Sequence, residues 1–314
     1  MKQSNLNAGR VVIPAETLAG AAISLGIATK ARVTHMHYSD SFEQIRRDFE
    51  AIGIPTDNPG FYDHSQFMNQ ERVNADFLNH YAKFVRSQTY DLEYLAKARA
   101  AVIAAAEELH NLLVKDGRLG ACIDCSMAFS RMLDKEGIWN YAVKGAVTIE
   151  FPPALRAKRF TFWPIDVDRG RGGEYGHKWV SAPPFDIVDV TIKQQEYGGP
   201  HFSTIPGTIL EEILNPIIPV SSEICSPPLI RDARERGIPD EEIMYFYNPR
   251  LRDFFRVFPA NLISRGDLRL RYVPCAIAAS DCRLEEITSL KLNGIFANEV
   301  YECHIAPKLR ALGR

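Results

Sequence analysis

No run of about eighteen or more apolar residues occurs in this chain, so it offers no membrane-spanning helix. Positive charge is not in surplus either. The 37 basic residues stand against 39 acidic ones, a net charge of −2, and a nucleic-acid binder usually carries a basic footprint. Cysteine is sparse, at six in 314 residues, too few for the disulfide scaffold of a small secreted domain. The opening MKQSNLNAGRVVIP lacks the solid apolar run of a signal peptide, and Gly, Ser and Thr interrupt the mildly apolar stretch from Thr17 to Ala31. We therefore expect a cytoplasmic protein with reduced thiols, without nucleic-acid or membrane partners. Internal repeats and low-complexity tracts are absent. A second Cys-x-x-Cys at metal spacing is missing, and Asp166-Val167-Asp168-Arg169-Gly170 lacks the full calcium-loop pattern. No metal and no cofactor is expected.

What is present is ordinary globular composition, 46% hydrophobic and 24% charged, long enough for one large domain or two modest ones. Helices are expected over Ser41–Ala51 and Asn69–Arg86. The clearest helix signal runs from Leu92 to Lys115, rich in Ala, Leu and Glu, with Leu95, Val102, Ala106, Leu109 and Leu113 near the helical period. After Asp116-Gly117 a short link leads to a second helix, Cys122–Glu136, which Gly137 stops. Tyr141–Phe151, Arg159–Trp163, His177–Ser181 and Phe185–Ile192 are rich in β-branched and aromatic residues and read as strands, the last two separated by Pro183-Pro184. Beyond Tyr197-Gly198-Gly199-Pro200, a plausible boundary, the chain turns Pro-rich. Helices are expected near Thr208–Leu214 and Glu241–Phe258, and a strand at Leu268–Val273.

One constellation carries chemistry. Cys122 follows a glycine turn and opens a helix, where the helix dipole favours the thiolate. A catalytic cysteine needs a base, and the base needs a group to orient it. His177 begins one strand, and Asp189 lies twelve residues on in the next. Antiparallel neighbours can bring an imidazole and a carboxylate together, fixing the ring's tautomer. Each residue alone also has a plain structural reading: a buried inert thiol, a hydrogen-bonded histidine, a turn aspartate.

The local sequence around these three resembles the transglutaminase-like family of papain-like cysteine enzymes. Gly120-Ala121-Cys122, then Gly137-Ile138 and Gly145, then His177-Lys178-Trp179, then Phe185 with Asp189-Val190-Thr191, follow the family's blocks in order over about residues 95 to 195. The chain departs from the pattern at Tyr141, where many relatives have Arg, and at Phe185, where Trp is usual. The resemblance implies Cys122 as nucleophile, His177 as general base and Asp189 as orienting carboxylate. It implies an α+β papain-like core at 90–197, between a mostly helical N-terminal extension, 1–89, and a C-terminal extension packed on the core, 198–314. The activity implied is cysteine-dependent acyl chemistry on the amide of a peptide or protein, either hydrolysis or transfer, through a Cys122 thioester. Trp179, Trp163 and Tyr141 are candidate substrate-binding residues, and Trp163 or Asn140 a candidate second oxyanion donor.

Other readings stand beside this one. The loop Asp168–Gly176, with Arg169 and Arg171, is either a lid or a solvated turn. Cys122-Ile123-Asp124-Cys125 could close a regulatory disulfide, and zinc could recruit these two with Cys303-His304. Asp186 rivals Asp189 for the third position. Asp124 reads as a first-turn helix acid. The alternatives for function are an inactive transglutaminase-like binding module and an arylamine acetyltransferase-like enzyme, since Arg118-Leu119-Gly120-Ala121-Cys122 is similar to the Arg-Gly-Gly-x-Cys turn of the latter family, with one Gly missing.

Overall fold

In the computed structural model, residues 41–166, 176–197 and 200–313 are described. Helix α1 spans Phe42–Ala51, and the Ser41 hydroxyl caps it by accepting the Gln44 N–H at 3.3 Å. The single helix expected over 69–86 is two, α2 (Ser65–Val73) and α3 (Leu78–Ser87). Asn74 leaves the helix in an extended conformation, and its side chain accepts the Asp76 N–H at 3.1 Å. This local Asx hydrogen bond competes with the helix and wins. Helix α4 (Leu92–Asp116) is as read from the sequence, capped by Asp91 and ended by Gly117 at φ +75°. Helix α5 (Cys122–Lys135) follows after a five-residue link.

The sheet has eight strands, β1 (Tyr141–Glu150), β2 (Phe160–Phe162), β3 (His177–Ala182), β4 (Phe185–Asp189), β5 (Ile209–Glu211), β6 (Pro216–Ile217), β7 (Ala260–Arg265) and β8 (Leu268–Ala278). Their order is β5-β4-β3-β1-β8-β7-β6, with β2 pairing β1 off this path, and the pairings are antiparallel. The architecture is mixed α and β around an antiparallel sheet, compatible with the α+β class. No helix among the described residues is long and apolar enough to cross a membrane.

Two elements of the C-terminal third differ from expectation. Residues 209–211 pair with β4 as a strand instead of forming a helix, because an open sheet edge offers ladder bonds that local propensity does not foresee. The helix expected over 241–258 is two, α6 (Ile243–Tyr247) and α7 (Leu251–Val257). Asn248 is extended ahead of Pro249, whose ring disfavours helix in the preceding residue. The segment 198–314 also does more than pack on the rest. Its strand β8 lies inside the sheet, paired with β1 from Ala142 to Glu150.

Helices α4 and α5 cover one face of the sheet with Val102, Leu109, Leu113, Phe129 and Leu133, against Ala142, Val180 and Val188. The other face buries Val143, Val147, Trp179 and Tyr272 with an aromatic group from α1 to α3 that includes Phe49, Phe61, Phe67 and Phe84. Gly145, in the middle of β1, faces His177 across the ladder. A Cβ there would collide with the Val273 carbonyl oxygen and lie 2.7 Å from the Trp179 ring. Glycine is thus required by close packing, and Gly145→Ala is expected to cost about 3 kcal/mol. Urea unfolding checks this, and an unchanged midpoint would refute it.

Candidate active site

Cys122 stands where the sequence puts it, in the first turn of α5. Gly120, at φ +70°, turns the chain there, and its N–H bonds the Gln194 carbonyl at 3.0 Å. That bond ties the turn before the thiol to the segment just after Asp189. First-turn N–H groups lack partners within their helix, so the thiol meets a positive end.

His177 is the first residue of β3 and Asp189 the last of β4. The two strands are a hairpin through Pro183-Pro184, in register at Val180 with Val188. Extending that register sets Asp189 on the Trp179 side of the sheet, which His177 shares by strand alternation. Nε2 of His177 lies 2.6 Å from Oδ2 of Asp189. A carboxylate only accepts, so Nε2 carries the proton and donates it.

The carboxylate accepts three further hydrogen bonds. Oδ1 takes the Thr191 N–H at 2.9 Å and the Thr191 hydroxyl at 3.1 Å. Oδ2 takes the Tyr272 hydroxyl at 2.9 Å. Burial alone would push Asp189 up, but the His177 charge and hydrogen bond, with Thr191 and Tyr272, hold it below the ordinary carboxylate range.

The other ring nitrogen of His177, Nδ1, is buried and has no regular hydrogen-bond partner among the described residues. The interacting group on that side is the Cys122 thiol, for Nε2 is committed to Asp189. Burial lowers the imidazole's proton affinity, yet Asp189 and Cys122 outweigh it and raise His177 above the ordinary range. Burial raises the thiol, yet the hydrogen bond and charge of His177 and the Lys178 N–H outweigh it and bring Cys122 below its ordinary value. The three shifts run in the directions that favour a thiolate beside an imidazolium backed by a carboxylate.

Packing fixes the ring. Phe162 of β2 lies 5.2 Å from His177 between ring centroids, and Trp179 lies 6.5 Å away, stacked. Trp179 is itself buried edge-to-face on Tyr272 at 5.1 Å. This candidate substrate-binding residue therefore forms the floor beneath the imidazole. Trp163 donates its indole N–H to the Ser222 carbonyl at 3.0 Å, and Tyr141 is buried with its hydroxyl accepting from Arg86 at 3.4 Å. Neither makes a hydrogen bond to the Cys-His-Asp group. Trp163 and Asn140, the candidate oxyanion donors, have their N–H groups engaged elsewhere. The indole N–H is taken, and the Asn140 amide is buried, donating to Asp134 at 2.8 Å and to the Ser130 and Ile138 carbonyls.

The rival acids are engaged elsewhere. Asp186 pairs with Arg86 at 3.2 Å, and Asp124 pairs with Arg118. Cys125 is buried, and burial pushes its thiol up, so it stays protonated. Among the described residues no three His, Cys, Asp or Glu side chains are grouped to hold a metal ion. The Gly/Arg loop of residues 168–175 and the Thr17–Ala31 stretch lie outside the described residues.

Sequence reasoning missed Tyr272. Its strand was legible, and the alternation Leu268, Leu270, Tyr272 marks it as inward-facing. Nothing in the sequence says that this strand returns beside β1, where Tyr272 pairs with Val147 two residues from the partner of His177. Comparison with protein-family models, with curated proteins and with solved structures found no match.

Proposed function

We propose that this protein is a cysteine enzyme of the transglutaminase-like, papain-like type, which acts on an amide carbonyl of a peptide or protein. The observation that carries this reading is the division of labour on His177. One ring nitrogen is held by a buried carboxylate at 2.6 Å, and the other is left for a thiol of lowered proton affinity at a helix start. A structural histidine has no need of such an arrangement.

The chemistry follows from these groups. The Cys122 thiolate attacks the carbonyl carbon, and the displaced π pair becomes an oxyanion. The Cys122 N–H, free of a helix partner, is positioned to receive it. His177 gives its Nδ1 proton to the amide nitrogen, the C–N bond breaks and a thioester remains. A second nucleophile then loses a proton to His177 and attacks the thioester, which releases the thiolate. Water makes the cycle an amidase or peptidase, and an amine makes it an acyl transfer. Asp189 keeps its charge throughout and stabilises the imidazolium.

The test is the rate of iodoacetamide alkylation of each cysteine against pH, read by mass spectrometry. Cys122 should react fastest, with its thiolate persisting below the ordinary thiol range, and His177→Ala should remove that advantage. The linkage has a definite sign. The acid limb is protonation of a depressed thiol. The alkaline change is loss of the proton from His177, whose value is raised, so the ion pair spans the interval between the lowered thiol value and the raised imidazole value. A Cys122 that alkylates no faster than Cys282 or Cys303, both exposed, would remove the enzyme reading. Mixing a peptide amide with and without a primary amine then separates hydrolysis from transfer.

A further inference from the structure

We infer that Tyr272, from the C-terminal third of the chain, is a positioning residue of this site, its hydroxyl moderating the hold of Asp189 on His177. The inference rests on the catalytic reading of Cys122 and His177.

The hydroxyl and the imidazole bind the same carboxylate oxygen. Tyr272 donates to Oδ2 at 2.9 Å and His177 donates to it at 2.6 Å. Thr191 occupies the other oxygen twice. Each donor to Oδ2 draws on the same lone pairs, so a strong Tyr272 bond weakens the pull on the imidazolium proton. The donor also fixes where Oδ2 lies, and hence where the ring points Nδ1. The phenol has no freedom to leave. It is buried, Trp179 packs on its ring, and the β1–β8 ladder holds its backbone. Such an arrangement suits a base that must release its proton in every cycle, because an unmoderated buried carboxylate would hold the imidazolium too tightly to be a good acid.

The titratable and charged groups that bear on this cluster are Cys122 of α5, His177 of β3, Asp189 of β4, Tyr197 beyond it, Tyr272 of β8 and Arg265 of β7. Tyr197 acts on Asp189 only through space, for its hydroxyl donates to the Ile192 carbonyl at 2.5 Å. Among the described residues Tyr272 is the one other side chain bonded to Oδ2.

Tyr272→Phe in the full chain removes the donor and keeps the ring. The His177 titration midpoint, read from ¹⁵N-histidine NMR, should rise by about half a unit to one unit, the worth of one neutral hydrogen bond. The alkaline change in Cys122 alkylation should move the same way, and turnover should fall several-fold with KM little changed. Site-specific 3-fluorotyrosine at position 272, a stronger donor with the same shape, should move the midpoint down. This variant keeps the question open to refutation should the phenylalanine variant not fold. A midpoint that is unmoved or lower in Tyr272→Phe, or unmoved by fluorination, overturns the role of Tyr272, while a fast Cys122 still dependent on His177 leaves the catalytic reading standing. Alkylation independent of His177 in the unmodified protein overturns both.

Discussion

Cys122→Ala is expected to reduce acyl chemistry by about 10⁴-fold or more, to the level left by binding and oxyanion stabilisation without a nucleophile. The probe is p-nitrophenyl acetate, a small activated ester that needs no knowledge of the natural acyl group. The unmodified protein should release a burst of nitrophenol and gain one acetyl group on Cys122, located by peptide mass mapping. The alanine variant should do neither. The fold should survive, because the thiol's bonds to β3 are those with the His177 ring and the Lys178 N–H, and its loss empties a space of one sulfur atom. Far-ultraviolet circular dichroism and the unfolding midpoint check that. Equal burst and acetylation in Cys122→Ala would dispose of the thioester mechanism. Acetylation that instead follows Cys282 or Cys303 would show surface chemistry alone.

Asp189→Asn carries the second large effect, about 10³- to 10⁴-fold in turnover, for a reason specific to this site. Thr191 presents two donors, its N–H and its hydroxyl, to the Oδ1 position. An asparagine must therefore turn its carbonyl toward Thr191 and its NH₂ toward the Oδ2 position. There it meets the Tyr272 hydroxyl and Nε2 of His177. The ring can satisfy that donor only as an acceptor, which moves its proton to Nδ1. A neutral imidazole with Nδ1 already protonated cannot take the proton of the Cys122 thiol. Loss of the carboxylate also removes the charge that raises His177 and leaves burial to lower it. In Asp189→Asn the fast alkylation of Cys122 at neutral pH should disappear, although the thiol is untouched.

The stability of the variant has a pH signature of its own. In the unmodified protein the depressed Asp189 adds stability above its ordinary carboxylate value, lost as pH falls through the lower folded value. The raised His177 adds stability that is complete below the ordinary imidazole value and is lost as pH rises through its folded value. The difference in unfolding free energy between the protein and Asp189→Asn should therefore be largest between about pH 4 and pH 6.5 and shrink on either side. A difference that stays constant as pH moves below about 4 and above about 6.5 would mean that the pair does not ionise as argued.

Much of the site was legible before any fold was known. The helix at Leu92–Lys115 declares itself through Ala, Leu and Glu, and Gly117 and Gly137 mark helix ends because each takes positive φ, which a side chain resists. Cys122 at a helix start, and the strands that carry His177 and Asp189, could be read from turn residues and β-branched runs, although the second strand ends at Asp189 and not at Ile192. Thr191 stands two residues beyond Asp189 in the sequence, and in the structure it supplies both donors to Oδ1. Other boundaries failed where a competing local bond or a distant strand decided. Asn74 broke one expected helix through its own side chain, and Ile209–Glu211 became a strand because β4 offered an edge.

The sequence alone determined the local chemistry: which thiol begins a helix, which imidazole and carboxylate lie on neighbouring strands, and where glycine punctuates the chain. These follow from interactions between residues a few positions apart, which composition and periodicity encode. Only the tertiary structure decided that β8 enters the sheet beside β1, that Tyr272 reaches Asp189 across 83 positions of chain, that Trp179 is buried beneath the imidazole, and that Asp186 turns to Arg86. Pairings at such separation depend on the burial of whole faces and on sheet register, quantities summed over the entire chain and recorded at no single position in it.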